Sequence, residues 1–149
     1  MRLIPLLLLF LFSCFSKGIY DLKFKDIKGK EFELSSLKGK RSVIYVWSGT
    51  CIGHVEDLKA LVKLTPQLKE RVPVISVAIM MDAEDIRKVL RENGIEPNYP
   101  VLADPKGELA NMVTLIFLPA TLIVDERGKV VGNYPKLPPN LISLVSAHK

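Results

Sequence analysis

Two uninterrupted apolar runs dominate the hydropathy pattern: SVIYVW at residues 42–47 and PVISVAIM at 73–80. Their β-branched and aromatic content, without polar alternation, predicts strands buried on both faces. Ahead of them, FKDIKGKEFELSSL reads as a hairpin with Lys28-Gly29-Lys30 as its turn. After the first run, Val55, Leu58, Leu61, Val62 and Leu64 recur at helical spacing, while Glu56, Lys59 and Lys63 point elsewhere. The expected helix therefore runs from Cys51 to about Leu64, with Pro66 kinking it or ending its first part. DAEDIRKVLRENG predicts a second helix, with Asp82 as N-cap, an apolar face of Ile86, Val89 and Leu90, and Gly94 as its stop. A short strand (YPVLAD) and a short helix (KGELANMV) follow. Pro119 opens two strands, ATLIVDERGKVVGNY, around the turn Glu126-Arg127-Gly128, and PPNLISLVSAHK supplies a last helix with Pro139 near its start. Strands alternating with helices predict an α/β fold: a mostly parallel central sheet, helices on both faces and an N-terminal β-hairpin extension.

The first residues follow a different logic. Arg2 precedes ten apolar residues, Leu3 to Phe12. That run is too short for a bilayer span of about 20 residues, and it has the charged start and apolar core of a secretory signal. It ends in Leu11-Phe12-Ser13-Cys14, which resembles a bacterial lipobox and implies a lipid on Cys14, although Phe12 is bulkier than usual there. The expected organisation is a lipoprotein-type signal at 1–13, a tether at 14–21 and one domain at 22–149. Such a chain is held on a membrane face outside the cytoplasm, on the periplasmic or cell-surface side. A plain cleaved signal or a retained hydrophobic anchor is the alternative.

Composition narrows the function. With 25% charged and 48% apolar residues the chain is ordinary for a globular domain. The net charge of +5 is scattered, with no basic block interleaved with aromatics, which argues against nucleic-acid binding. No cofactor is expected. The two cysteines are Cys14 and Cys51. With Cys14 lipidated, Cys51 is the remaining free thiol in an oxidising compartment, which marks it as reactive or metal-binding.

The order of parts resembles the thioredoxin fold, in particular the membrane-tethered thiol–disulfide oxidoreductases of the TlpA/ResA type. The carriers of the resemblance are a buried strand ending in W-x-x-x-C, a second βα unit, and a proline opening a hairpin with D-x-x-G. The leading G-K-x-F-x-L-S-S-L-K-G-K is typical of that branch and of the related peroxiredoxins. The match spans roughly residues 22 to 149. It implies site roles for Trp47, Cys51, Asp57 and Leu118-Pro119, the last as a cis peptide beside the cysteine. Two positions depart from the pattern. Thr50 replaces an aromatic residue, and His54 stands where the second cysteine of C-x-x-C belongs.

Three readings of Cys51 follow. In the first, the start of a helix and His54 three residues on both favour the thiolate, which lowers its pKa, and Asp57 holds the imidazole. Cys51 then attacks a disulfide or a peroxide, and an external thiol completes turnover because no second cysteine is placed to do so. No P-x-x-x-[ST]-x-x-C stretch supports the peroxidase variant. Partners are protein thiols and disulfides or small thiols outside the cytoplasm. In the second, Cys51, His54, Met80 and Met81 form a soft set for Cu(I), as in a Sco-like chaperone. In the third, the domain is a catalytically inactive binding module that uses the apolar edge around TLIFLP. His148 is expected to be solvated.

Overall fold

The computed structural model describes residues 18–68 and 71–147. The expected signal segment, Cys14 and His148 lie outside the described residues.

Seven strands form one sheet: β1 (Lys23–Asp26), β2 (Glu31–Glu33), β3 (Ser42–Trp47), β4 (Val74–Ile79), β5 (Val101–Asp104), β6 (Ala120–Val124) and β7 (Val130–Pro135). Their spatial order is β2-β1-β5-β4-β3-β6-β7. Only β3–β4 and β4–β5 pair in parallel; the other four pairings are antiparallel. The sheet is therefore mixed, with a parallel centre of three strands. It is less parallel than the alternation implied because the hairpins at both ends of the chain join the same sheet.

Four α-helices are present among the described residues: α1 (His54–Leu68), α2 (Ala83–Glu92), α3 (Leu109–Met112) and α4 (Leu141–Ala147). Strands β3, β4 and β5 advance in one direction across the sheet. Right-handed crossovers then place α1 and α2 on one face. There Leu58, Leu61, Ile86 and Leu90 pack with Val43, Tyr45, Trp47 and Ala78, and Leu141 and Val145 of α4 join them. The opposite face is covered lightly, by Leu109 of α3 and by two 3-10 turns at Ile19–Asp21 and Leu34–Leu37. Helices thus lie on both faces, but very unequally.

Three local expectations are corrected. The tether does not extend to Asp21: Ile19 and Tyr20 are buried, and the Tyr20 hydroxyl donates to the Asp125 carbonyl at 2.9 Å. An aromatic ring buried with its hydroxyl satisfied belongs to the core. Of the two roles expected of Pro66, kinking the helix or ending its first part, the second does not hold: the helix continues to Leu68. Proline leaves the carbonyl four residues earlier without its helical partner. That carbonyl belongs to Val62, and Asn98 Nδ2 donates to it at 2.9 Å. Last, the helix does not begin at Cys51 but at His54.

Candidate functional site

The apolar run of β3 ends at Trp47, fully buried under the helical face. The chain then turns outward through Ser48 to Gly53. Two contacts fix this loop. Cys51 N–H donates to the Ser48 carbonyl at 3.1 Å, and Gly49 N–H donates to Met81 Sδ at 3.2 Å. Gly53, at φ +91, takes a left-handed conformation that suits glycine and directs the chain into α1.

Cys51 is half-buried and lies three residues ahead of the first helical residue. Helix-terminus stabilisation fades within about one turn. Burial pushes the thiol above its ordinary value, and a backbone hydrogen bond from Ser48 offsets part of that rise. The direction is opposite to the lowering expected from a helix end, and burial is its largest cause.

His54 does not face the sulfur with its Nδ1. That nitrogen lies 2.7 Å from the Cys51 carbonyl oxygen, and the ring stacks on Trp47 with centroids 5.4 Å apart and planes 9° from parallel. A carbonyl only accepts, so Nδ1 carries the hydrogen and the neutral ring keeps its lone pair on Nε2. Asp57 does not hold the imidazole. Its Oδ2 accepts from the Tyr45 hydroxyl at 2.7 Å and from Leu137 N–H at 3.2 Å. Successive steps of three along a helix drift around its axis, and here they turn Asp57 toward β3 and the loop after β7. Burial raises the Asp57 pKa, while the bonds from Tyr45 and Leu137 and the charge of Lys136 lower it. Tyr45, desolvated and bonded to that carboxylate, stays protonated well past the ordinary phenol range.

Across from the loop, the Leu118–Pro119 peptide is cis. Cys51 and Thr50 share a shallow groove of about 540 Å³ with Ile52, Phe117, Leu118, Pro119, Pro135 and Lys136. Ile52 is 83% exposed and Leu118 43%, so the groove has an open apolar rim. Of the soft set considered for Cu(I), Cys51 lines this groove, and His54, Met80 and Met81 do not. Met81 is buried beneath Gly49, whereas Met80 N–H bonds to Asp104 and its Sδ would meet a Cβ on Gly107 at 3.2 Å. β4 ends at Ile79 and Met80 has φ +59, so the chain turns between the two methionines; Met80 is exposed and Met81 buried. Among the described residues no group of three or more His, Cys, Asp or Glu side chains could hold a metal ion.

The sequence reading missed Tyr45 and Lys136. A tyrosine inside a strand buried on both faces needs a partner for its hydroxyl, a signal that marks Tyr45 without saying that Asp57 supplies the partner. No local signal marks Lys136, whose position depends on how β7 returns to the start of β6.

A central strand handing over to a helix through a cysteine loop, faced by a cis-proline, defines a thioredoxin-like protein. The chain belongs to the AhpC/TSA family, which it matches over residues 16–132, and within the thioredoxin-like proteins it is of the TlpA/ResA type, with C-x-x-H for C-x-x-C. It is 29% identical over 106 residues to the thiol–disulfide oxidoreductase ResA of Bacillus thuringiensis subsp. konkukian, covering 71% of this chain and 61% of that one. A ResA from Geobacillus kaustophilus is 24% identical over 111 residues, covering 74% and 63%. The chain thus spans about three-fifths of the length of these curated relatives. In fold it is similar to MTB dsbF, with a TM-score of 0.73 at 19% identity over 86% of this chain and 95% of that one. It is likewise similar to the exposed lipoprotein thioredoxin Etrx1 of Streptococcus pneumoniae strain TIGR4, with a TM-score of 0.69 at 22% identity, covering 85% and 98%.

Proposed function

We propose that this is a membrane-held, extracytoplasmic thiol-redox protein that works through one cysteine. The observation that carries the reading is the placement of Cys51 in an exposed apolar groove against the cis Leu118–Pro119 peptide. A partner disulfide seated there meets the sulfur. Cys51 gives up its proton to solvent and its thiolate attacks one sulfur of the partner. The partner S–S bond breaks, a Cys51–partner disulfide forms, and the other partner sulfur leaves as a thiolate that takes up a proton. Cys51 is oxidised and the leaving sulfur reduced, so the step balances without a further reagent. An external thiol then releases the adduct. His54 secures the loop through the Cys51 carbonyl, in place of a resolving thiol. The family membership and the ResA relatives support this chemistry; the apolar run Leu3 to Phe12 and the Leu11-Phe12-Ser13-Cys14 segment that closes it support export and lipid attachment. No helix among the described residues is long and apolar enough to cross a membrane.

The test is covalent trapping. Full-length protein carrying Cys14→Ser, in an uncharged detergent, is incubated with an oxidised peptide and examined by non-reducing mass spectrometry. Adducts on Cys51 that dithiothreitol removes are expected; their absence refutes the reading. Export is tested separately by incorporation of labelled lipid, which Cys14→Ser should abolish. A second reading, the inactive binding module, is favoured by one observation, the open apolar rim formed by Ile52 and Leu118. It predicts capture of apolar peptides by the groove with no adduct.

A further inference from the structure

We infer that Lys136 is the specificity-determining residue of the Cys51 groove, selecting thiol or disulfide partners that carry a carboxylate next to the reacting cysteine. The inference rests on the thiol-exchange reading of Cys51. Its starting point is the backbone. Lys136 has φ +53, a left-handed conformation that is uncommon for a residue with a Cβ and natural for glycine. The surroundings over-determine it. Lys136 N–H donates to the carbonyl of the cis-proline Pro119 at 2.9 Å, and the Thr121 hydroxyl donates to the Lys136 carbonyl at 2.5 Å. The next residue is fixed by Leu137 N–H on Asp57. Backbone outliers of this kind cluster at active sites and ligand clamps.

The side chain then reaches back across the groove. A Cβ on Gly53 would lie 3.5 Å from Lys136 Cε and 3.7 Å from both Cδ and Nζ. The stem therefore runs along Gly53, inside the C-x-x-H loop, at ordinary van der Waals distance from where a Cβ would stand. Among the described residues no carboxylate forms an ion pair with the ammonium. The ion pairs among the described residues are Lys23–Glu33 and Arg41–Glu126. Asp57 is the nearby carboxylate, but its Oδ2 is occupied by Tyr45 and Leu137, so Lys136 acts on it only through space. Of the residues lining the groove, Lys136 alone is charged, in an otherwise largely apolar wall. A partner segment with an apolar residue for the Ile52–Leu118 rim and a carboxylate beside its cysteine complements that wall in shape and in charge. A lysine in the same place would be repelled.

The experiment compares three activated peptides of one length, Ac-Leu-Cys-X-NH2 with X as Glu, Gln or Lys, each cysteine carrying a 2-pyridyl disulfide. Attack by Cys51 forms the peptide adduct and expels 2-thiopyridone, a neutral leaving group whose absorbance gives the rate. Full-length Cys14→Ser protein in an uncharged detergent should react in the order Glu, Gln, Lys. Each step should be about two- to fivefold at low salt, the range for an exposed ion pair. The order should collapse at 1 M salt, where screening acts within about 3 Å. Lys136→Gln should bring the Glu-to-Gln ratio to about one, and Lys136→Arg should keep it. Equal rates for the three peptides overturn the inference and leave the thiol reading standing. A Glu preference that survives Lys136→Gln overturns it equally. Should no peptide release 2-thiopyridone, the thiol reading falls and this inference falls with it. The peptide series on unaltered Lys136 decides the matter even where a variant does not fold.

Discussion

His54 Nδ1 lies 2.7 Å from the carbonyl oxygen of Cys51, so the imidazole is bonded to the backbone of the cysteine rather than through that nitrogen to its thiol. Stacked on the buried Trp47, it closes the loop from Ser48 to Gly53 over the end of β3. The relationship makes the histidine a clamp on loop geometry.

A clamp and a base respond differently to removal. His54→Ala should cost about 1 kcal/mol, from one hydrogen bond and one ring stack at a half-exposed site. It should shift the pH midpoint of Cys51 alkylation by less than half a unit. Urea unfolding and the rate of iodoacetamide reaction against pH read the two effects in the same sample. A midpoint moved by a full unit without loss of stability would instead couple the imidazole directly to the sulfur.

The thiol itself should be a slow nucleophile at rest. Burial holds its folded pKa above the ordinary value, so at pH 7 the native protein carries less thiolate than a free peptide does. Alkylation of Cys51 should run below the peptide rate at neutral pH and climb through a midpoint displaced upward. Unfolding in guanidinium should restore the peptide rate. A native rate above the peptide rate at pH 7 would reverse the sign.

Much of the scaffold was legible because it rests on local rules. SVIYVW became β3 and Asp82 became the cap of α2, accepting from Asp85 N–H at 2.9 Å, since runs of apolar residues and short-range capping depend on few neighbours. Cys51 and the cis Leu118–Pro119 peptide share one groove, as the resemblance implied. What failed depended on distant partners. Pro66 stays inside α1, and the Val62 carbonyl it leaves without a helical partner is taken by Asn98, 36 residues away in sequence. The direction of the Cys51 pKa was not legible because it is set first by burial in the folded groove, and the helix begins only at His54, after a loop whose form is fixed by Gly53 and by Met81. Asp57 was assigned to the wrong partner for a related reason: its position on α1 was right, but the direction it faces depends on Tyr45 and on the loop at Leu137.

Asp57 gives a stability test with a definite sign. Its folded pKa is raised by burial, so its contribution to stability is complete below the ordinary carboxylate pKa of about 3.9 and is lost as pH rises through the raised value. At pH 7 the ionised group is therefore a burden. Asp57→Asn, whose side-chain oxygen still accepts from Tyr45, should raise the unfolding free energy at pH 7. The gain should stay below about 1 kcal/mol because the site is half-exposed and solvent screens it. It should shrink toward zero below pH 4. A variant that is less stable at pH 7 by the same denaturant titration would show the carboxylate to be a net stabiliser.

The last prediction concerns what the missing thiol withholds. With histidine at position 54, a Cys51 adduct has no internal route of release among the described residues, and mixed disulfides should accumulate. His54→Cys introduces a thiol three residues from Cys51, at the first residue of α1. That thiol can attack the Cys51 sulfur of the adduct, expel the partner as a free thiol and leave an internal disulfide. The partner disulfide is then reduced by two electrons and the protein oxidised by two, so an added dithiol is needed for each further cycle. The substitution also removes the clamp on the Cys51 carbonyl and the stack on Trp47, and the variant should unfold at a urea concentration no higher than the wild type. Non-reducing mass spectrometry after exposure to an oxidised peptide separates the outcomes. Wild type should carry the peptide mass, whereas His54→Cys should lose two mass units and carry no peptide. Persistent adducts on the variant would mean that the loop, held by Ser48 and Gly53, cannot bring a thiol at position 54 onto the Cys51 sulfur. The substitution would then have closed off two-cysteine chemistry by geometry as well as by composition.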